Sequence, residues 1–174
     1  MAEGGGSGGR PGDVLLGNAL SLARELAQSL RDMRGIDYRL DPASQGVRPF
    51  RGGFSMQVSI RFMGGVEGEY ILGLRPETAA QLGGTWRPDQ GEAAMGRQRE
   101  DWENFLKEAL NTAVGNAMPT LDRIARGGRF QPAVVAYEPP GQSGPACGQV
   151  NLYGSAGPIA CCFLLYPSTR EAAG

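Results

Sequence analysis

The most conspicuous absence in this sequence is histidine, of which its 174 residues contain none. A chain without imidazole cannot build a Ser-His-Asp triad, a Cys-His pair, a histidine zinc site or an imidazole proton shuttle. Any chemistry must therefore use carboxylates, amides, amines or groups that a partner contributes.

The chain also lacks an excess of either charge, because 17 Lys and Arg residues stand against 18 Asp and Glu residues. Proteins that grip nucleic acids by their phosphates need clustered Lys and Arg, so this balance argues against a nucleic-acid partner, although local basic patches stay open. Hydrophobic residues make up 41% of the sequence, which is enough for the core of one domain of ordinary size.

Long hydrophobic runs are missing as well. The longest one, residues 159–166, is far shorter than the roughly 20 residues that span a bilayer, so no membrane partner is expected. Residues 1–12 are half glycine and have no apolar signal-peptide segment, which predicts a flexible tail. A single domain is predicted over residues 13–168.

Cysteine is scarce, with three residues in all. Cys161 and Cys162 are adjacent, so their side chains would point to opposite faces of a strand. An odd number and this geometry favour buried, reduced thiols over disulfides or a metal site, and therefore a cytoplasmic protein.

Two long helices are predicted from apolar residues that recur at steps of three and four. The first covers residues 13–34, and the second covers residues 98–126. Pro119 lies inside the second helix and predicts a kink or a break there. Residues 86–96, just before this helix, are polar and predict an exposed loop.

Alternating apolar residues predict the strands. A glycine-rich turn joins residues 54–62 to residues 70–74 in a predicted hairpin, and Pro76 predicts the start of a short helix after it. The remaining predicted strands are residues 36–40, 130–137, 150–153 and 159–166.

These elements predict an α+β fold, in which two long amphipathic helices pack on one face of a mainly antiparallel sheet. A helix followed by a hairpin occurs twice, in residues 13–74 and 98–165, which raises the question of an internal duplication. The spacing after Gly68 matches the spacing after Gly157. Any two hairpins can share such spacing, so duplication and coincidence both stay open.

A polar stripe on the second long helix is the candidate functional surface. At about 100° per residue, Asn104, Glu108, Asn111 and Gly115 fall opposite the apolar face, and Glu108 and Asn111 project from one patch. Gly115 costs about 1 kcal/mol relative to alanine there, which suggests that something approaches the backbone closely. The alternative is that Glu108 and Asn111 merely solvate the outer face, while Gly115 accommodates a bend at Pro119.

The helix that carries this stripe resembles the signature helix of the CheX/CheC family of chemotaxis phosphatases. The resemblance lies in residues 105–121, where Glu-x-x-Asn in a surface helix is followed by a glycine one turn later. Residues 58–80 look like the family's hairpin and short following helix, and residues 157–165 are similar to its closing strand.

The resemblance implies hydrolysis of the phosphoaspartate on a CheY-type receiver domain, which ends a two-component signal. Glu108 would pair with the receiver's lysine, Asn111 would orient the attacking water, and Asn104 and Gly115 would contact the partner. The receiver would bring Mg²⁺, and the chain would need no cofactor of its own. Phosphoryl transfer depends mainly on positioning and charge stabilisation, so it does not require histidine. The resemblance also implies a homodimer.

The first long helix departs from the pattern, because Ser21, Glu25 and Gln28 place a glutamine where the family has asparagine. We therefore expect a single active helix, as in CheX-like proteins. Asn104 also departs from the Ser or Asp that often stands four residues before the family's Glu. Two other functions stay open: a non-catalytic module that grips a receiver or a flagellar-switch component, and a structural dimer subunit joined through a strand edge such as residues 150–153.

Overall fold

The computed structural model describes residues 9–84, 89, 91–121, 128–139 and 143–167. Most of the predicted tail therefore lies outside the described residues. The described helices are Pro11–Arg34 (α1), Pro76–Leu82 (α2) and Gly91–Leu121 (α3), with a 3-10 turn at Pro42–Ser44. The described strands are Tyr38–Leu40 (β1), Gly46–Arg51 (β2), Met56–Met63 (β3), Glu67–Leu74 (β4), Arg129–Phe130 (β5), Val134–Tyr137 (β6), Ser143–Gly154 (β7) and Ile159–Tyr166 (β8).

All the described strands join one antiparallel sheet along the path β1-β7-β8-β4-β3-β5. Each outer position is occupied by two short strands. Strands β1 and β2 pair with different parts of β7, and β5 and β6 pair with different parts of β3. At the centre, Tyr70 of β4 lies opposite Ile60 of β3 on one side and opposite Phe163 of β8 on the other. The predicted α+β class and antiparallel sheet are confirmed.

Both long helices pack on the same face of this sheet, as predicted. The strands alternate, so every second side chain points at the helices, and Phe62, Tyr70 and Phe163 form the aromatic centre of the core. The Tyr70 and Phe163 rings have centroids 4.8 Å apart. Small side chains let the two helices approach each other, and the fully buried alanines include Ala19, Ala23, Ala109 and Ala113.

The first helix has bounds that follow from its terminal residues. It begins at Pro11, two residues earlier than predicted, because proline fits the first turn of a helix. It ends at Arg34, where Gly35 adopts the left-handed conformation with φ 66°. Near its start the helix lies directly on β7, since a Cβ on Gly148 would stand 2.1 Å from the Leu15 carbonyl oxygen.

The second long helix differs from the prediction at its start. Residues 91–96 are helical, so the predicted loop is wrong there, while residues 86–88 and 90 of that loop lie outside the described residues. The apolar residues of these first turns, Ala93, Ala94 and Met95, are consecutive rather than spaced at three and four, so they gave no helical periodicity. The helix continues through Pro119 to Leu121, so the predicted break does not occur there. Proline has no N–H to donate to the Gly115 carbonyl, and Gly115 is exposed to water.

Residues 150–153 do not form the free strand edge that was suggested for a dimer. In β7, Leu152 pairs with Leu40 on one side and with Ile159 on the other, so both edges are occupied and this suggestion is wrong. The strand that covers much of β7, β2, was missed because Pro49 and its arginines hide any alternation. Both helix-plus-hairpin units are present, and their duplication stays a prediction.

The cysteines are free thiols and all three are buried, as predicted. Cys161 points into the helix-side core, whereas Cys162 joins Cys147 in a smaller apolar cluster on the opposite face of the sheet. Burial raises the pKa of the Cys161 thiol well above its ordinary value. In the part of the chain that is described, no helix combines the length and the hydrophobicity needed to cross a membrane.

Candidate functional site

The polar stripe of α3 lies on the outside of the molecule. Asn104, Glu108, Asn111 and Gly115 are all exposed. The opposite side of the helix faces the core, and its buried residues are Trp102, Phe105, Leu106, Ala109, Leu110, Ala113, Val114 and Ala117. The placement predicted from the helical wheel is therefore what the structure contains, whereas the roles of these residues stay predictions.

Glu108 and Asn111 are the chemically capable members of this stripe. They stand three residues apart on one helix, so their side chains leave the surface on the same side. Within the described ranges, neither side chain makes a hydrogen bond or an ion pair. The carboxylate is thus free to accept from a partner's ammonium group, and the amide can both donate and accept.

Gly115 completes the stripe one turn further along. A Cβ added to it would meet no atom of the described chain within 4 Å. The glycine is therefore not required by packing inside the molecule, although it weakens an exposed helix relative to alanine. This leaves a backbone surface that a second molecule can approach.

A cluster of polar and aromatic side chains fixes α3 to the sheet just before the stripe. The Tyr137 hydroxyl on β6 donates to Glu103 Oε1 at 2.7 Å and accepts from Trp102 Nε1 at 3.3 Å. Arg99 forms a 3.2 Å ion pair with Glu103 and lies 3.7 Å over the Tyr137 ring. Burial, followed by the hydrogen bond to Glu103, raises the pKa of the Tyr137 hydroxyl, so it remains a proton donor at neutral pH.

Arg34 joins all three helices near the same place. Its guanidinium lies 4.7 Å over the ring of Phe105 in α3, and its Nη2 donates to the Gly83 carbonyl after α2 at 3.0 Å. Phe105 stands between Asn104 and Glu108, so this contact restrains the helix where the stripe begins. Together with the Tyr137 cluster, it gives the exposed pair a rigid base.

Sequence reasoning missed these supporting contacts. Tyr137 and Glu103 are 34 positions apart in the chain, and Arg34 is even farther from Phe105. One signal in the sequence is Trp102, a large side chain on the apolar face of the second long helix. Its indole N–H needs a partner when buried, and that need points to a nearby acceptor.

The corresponding surface of α1 is arranged differently. Glu25 is half-buried, and the Gln28 amide donates to Asp32 Oδ1 at 2.8 Å. The glutamine is thus engaged within its own helix. In the described part of the chain, no group of three or more His, Cys, Asp and Glu side chains is placed to hold a metal ion.

Sequence comparisons find no relative for this chain. No protein-family model matches it, and no curated protein matches it significantly. The comparisons find a likeness in the three-dimensional fold instead.

A putative chemotaxis protein from Desulfovibrio vulgaris Hildenborough superposes with a TM-score of 0.64 at 14% identity, over 86% of this chain and 97% of that one. The chain has the fold of CheX/CheC-like chemotaxis proteins. A chain of the CheX–CheY–BeF3–Mg²⁺ complex from Borrelia burgdorferi shares this CheX/CheC-like fold, with a TM-score of 0.59 and 18% identity over 87% of this chain and 99% of that one.

FliY from Thermotoga maritima has the same CheX/CheC-like fold, with a TM-score of 0.57 and 16% identity over 88% of this chain and 90% of that one. Each solved structure is matched over nearly its whole length. At these identities the likeness defines the architecture, and the function must be argued from the site.

Proposed function

We propose that this chain is a phosphatase that accelerates hydrolysis of the phosphoaspartate on a CheY-type receiver domain. The observation that carries the proposal is the pair Glu108 and Asn111, exposed and unengaged within the described chain on a firmly held helix of a CheX/CheC-like fold. The chain would thereby end a two-component signal, of which chemotaxis is the example that its structural neighbours provide.

In this proposal the two side chains have separate tasks. The Glu108 carboxylate accepts a charge-assisted hydrogen bond from the receiver's lysine and anchors the helix over the phosphorylated pocket. The Asn111 amide orients the attacking water, and as a neutral group it adds no repulsion beside an anionic phosphoryl group.

The chemistry demands little more from this chain. Phosphoryl transfer is accelerated mainly by positioning and by stabilising the charge of the transition state. The receiver supplies the lysine and Mg²⁺, and a partner of this kind fits the structural likeness to a chain of a CheX–CheY complex that contains Mg²⁺. This chain supplies geometry, which is why the rigid support from Tyr137 and Arg34 matters.

Asn104 and Gly115 flank the pair and complete the docking surface. Asn104 lies one turn before Glu108 and offers an amide to the receiver's backbone or side chains. Gly115 lies one turn after Asn111 and lets the receiver approach without a side chain in between. A homodimer and a cytoplasmic location are further parts of the proposal that the resemblance implies.

A second candidate is an interaction module that holds a receiver or a flagellar-switch component without hydrolysis. The shared fold of FliY favours keeping it, because the same scaffold occurs in a protein that is not a CheX. The exposed pair would then contribute affinity only.

The two candidates separate in a phosphate-release assay. A phosphorylated CheY-type receiver is mixed with a small fraction of this protein, and inorganic phosphate is followed over several turnovers. We expect acceleration by the wild-type chain and its loss in Asn111→Ala. Asn116→Ala is the matched control, because Asn116 is an exposed asparagine on another side of the same helix.

Binding is measured in parallel on the same variants. Affinity for the phosphorylated receiver without any acceleration would favour the interaction module. Neither affinity nor acceleration with any receiver would contradict the phosphatase, and the absence of affinity for flagellar-switch components as well would contradict the interaction module. Equal loss in Asn111→Ala and Asn116→Ala would show that the effect is not specific to the proposed site.

A further inference from the structure

The face of the sheet that turns away from the helices carries a cleft of about 370 Å³. It lies between the segment after β2 and strands β7 and β8. The side chains that define it are Phe54, Arg75, Gln149, Asn151 and Tyr153. The proposed phosphatase uses none of these residues, and its helix stands on the opposite face.

The cleft exists because small residues meet at the middle of the sheet. Gly73 of β4 pairs with Ala160 of β8, so neither of these two strands places a large side chain at this point. The Phe54 ring occupies the space above Gly73, where an added Cβ would stand 2.3 Å from the ring. Ala160, which is buried, lines the cleft together with the Phe54 ring.

The opposite wall is a fixed pair of amides. Gln149 Nε2 donates to Asn151 Oδ1 at 3.1 Å, which leaves the Gln149 oxygen and the Asn151 amino group without a partner in the described chain. The backbone of Asn151 is also held, since its N–H donates to Ser44 Oγ at 2.8 Å and its carbonyl accepts from the Asp41 N–H at 2.9 Å. A ligand would therefore meet one acceptor and one donor in a constant position.

The charged residue among those that line the cleft is an arginine, while Asp41, whose backbone pairs with Asn151, has its carboxylate engaged by the Ala43 N–H. Arg75 lines the cleft, and Arg39 lies opposite Tyr153 in the β1–β7 pairing, so its side chain leaves the same face of the sheet. Neither arginine makes an ion pair within the described residues, and no carboxylate is among the residues that line the cleft. Unneutralised arginines in a concave site attract anions and favour planar acidic groups.

Aromatic rings supply the remaining part of the surface. Tyr153 is 50% exposed, which is unusual for so large a ring, and Phe54 faces the cleft from the other side. Rings placed in this way bind flat groups by stacking or edge contacts.

We propose that this cleft binds a planar organic anion of about mononucleotide size. The ring of the ligand lies by Tyr153 and Phe54, its polar edge meets the Gln149–Asn151 pair, and its anionic group meets Arg75. The volume suits a small ligand, because pockets for drug-sized molecules begin at roughly 300 Å³. The ligand would bind on the face of the sheet opposite the helices, away from the α3 stripe.

The test titrates the full chain with three probes, followed by calorimetry or by NMR amide shifts. Adenosine 5′-monophosphate carries both ring and charge, adenosine only the ring, and inorganic phosphate only the charge. We expect the monophosphate to bind at least about tenfold more tightly than either fragment, since each fragment loses one set of contacts.

Variants then assign the contacts. Arg75→Gln should weaken the monophosphate about tenfold and leave adenosine unchanged, whereas Tyr153→Ala should weaken both. Arg129→Gln is the control, because Arg129 is an exposed arginine on β5 outside the cleft, and it should bind all three probes as the wild type does. Thermal unfolding of each variant confirms that it is folded.

Three results would overturn the proposal. The first is the absence of saturable binding of the monophosphate at concentrations up to about 1 mM; a dissociation constant of this size corresponds to a binding free energy of about −4 kcal/mol. The second is inorganic phosphate that binds as tightly as the monophosphate, which would leave no role for the rings. The third is unchanged binding in both Arg75→Gln and Tyr153→Ala. None of them bears on the phosphatase assay, which probes the other face.

Discussion

The two long helices share one core but present opposite chemistry to solvent. On α3, Glu108 and Asn111 are exposed and unengaged within the described chain, whereas on α1 Glu25 is half-buried and Gln28 is hydrogen-bonded to Asp32. Two helices in equivalent packing environments therefore need not carry equivalent sites. The α1 pair differs from the α3 pair in that its glutamate is half-buried and its exposed glutamine already has a hydrogen-bond partner in the same helix.

The helices are also anchored by different means. A buried contact holds α1, where the Tyr70 hydroxyl donates to Asn18 Oδ1 at 3.3 Å. A partly exposed cluster around Tyr137 holds α3, close to the proposed site. Disrupting the first should affect mainly the stability of the protein, and disrupting the second should affect mainly its activity.

The largest expected effect on affinity distinguishes the two glutamates. Glu108→Gln removes the charge that would pair with the receiver's lysine, so affinity for the phosphorylated receiver should fall about 10- to 100-fold. Glu25→Gln should change it less than about twofold, because a half-buried side chain offers little to a partner. Calorimetry or fluorescence anisotropy measures both, and equal losses in the two variants would remove the distinction between the helices.

The two anchoring tyrosines should separate stability from activity. Tyr70→Phe leaves the buried side-chain oxygen of Asn18, Oδ1, without the Tyr70 hydroxyl and should lower the unfolding free energy by about 1–3 kcal/mol. Tyr137→Phe loses partly exposed hydrogen bonds and should cost about 1 kcal/mol or less. Urea unfolding and phosphate release are compared for both variants. We expect the turnover of folded protein to fall only in Tyr137→Phe, and the reverse order would contradict the assignment of the Tyr137 cluster as support for the site.

The smallest effect concerns one helical glycine in each helix. A Cβ on Gly17 or on Gly115 would meet nothing within 4 Å of the described chain. Alanine at either position should therefore raise the unfolding free energy by about 0.5–1 kcal/mol. Thermal or urea unfolding checks this gain for both variants.

Activity then tells the two glycines apart. Gly115→Ala should weaken receiver docking, because the methyl group stands where the partner approaches, while Gly17→Ala should leave docking unchanged. If Gly115→Ala gains stability and keeps full activity, the partner does not approach the backbone there.

The long helices and the central hairpin could be predicted from the sequence because their periodicity is strong. The exposed stripe followed directly, since a fixed rotation per residue decides which side chains face water once a helix is identified. In contrast, β2 contains Pro49 and follows no alternation, and the apolar residues in the first turns of α3 are consecutive rather than spaced at three and four. Local patterns could not reveal either element, and β2 owes its place to its pairing with β7.

The supporting contacts and the cleft could not be predicted for a related reason. The Tyr137 cluster joins residues about 34 positions apart, and the cleft arises where Gly73 and Ala160 meet in register. Register is a property of the assembled sheet, and many registers are compatible with the same alternating strands. The sequence shows which residues are present, but not which of them are neighbours in space.

The most direct test of the account is the decay of a phosphorylated receiver saturated with this protein in a single turnover. Saturation removes differences in affinity, so the rate reports the placement of the attacking water. We predict that the phosphorylated receiver decays about 100-fold or more slowly with Asn111→Ala than with wild type, near the rate of the receiver alone. With Gln28→Ala it should decay at the wild-type rate. Wild-type decay in Asn111→Ala, or an equal loss in Gln28→Ala, would contradict the claim that one exposed amide on α3 drives the hydrolysis.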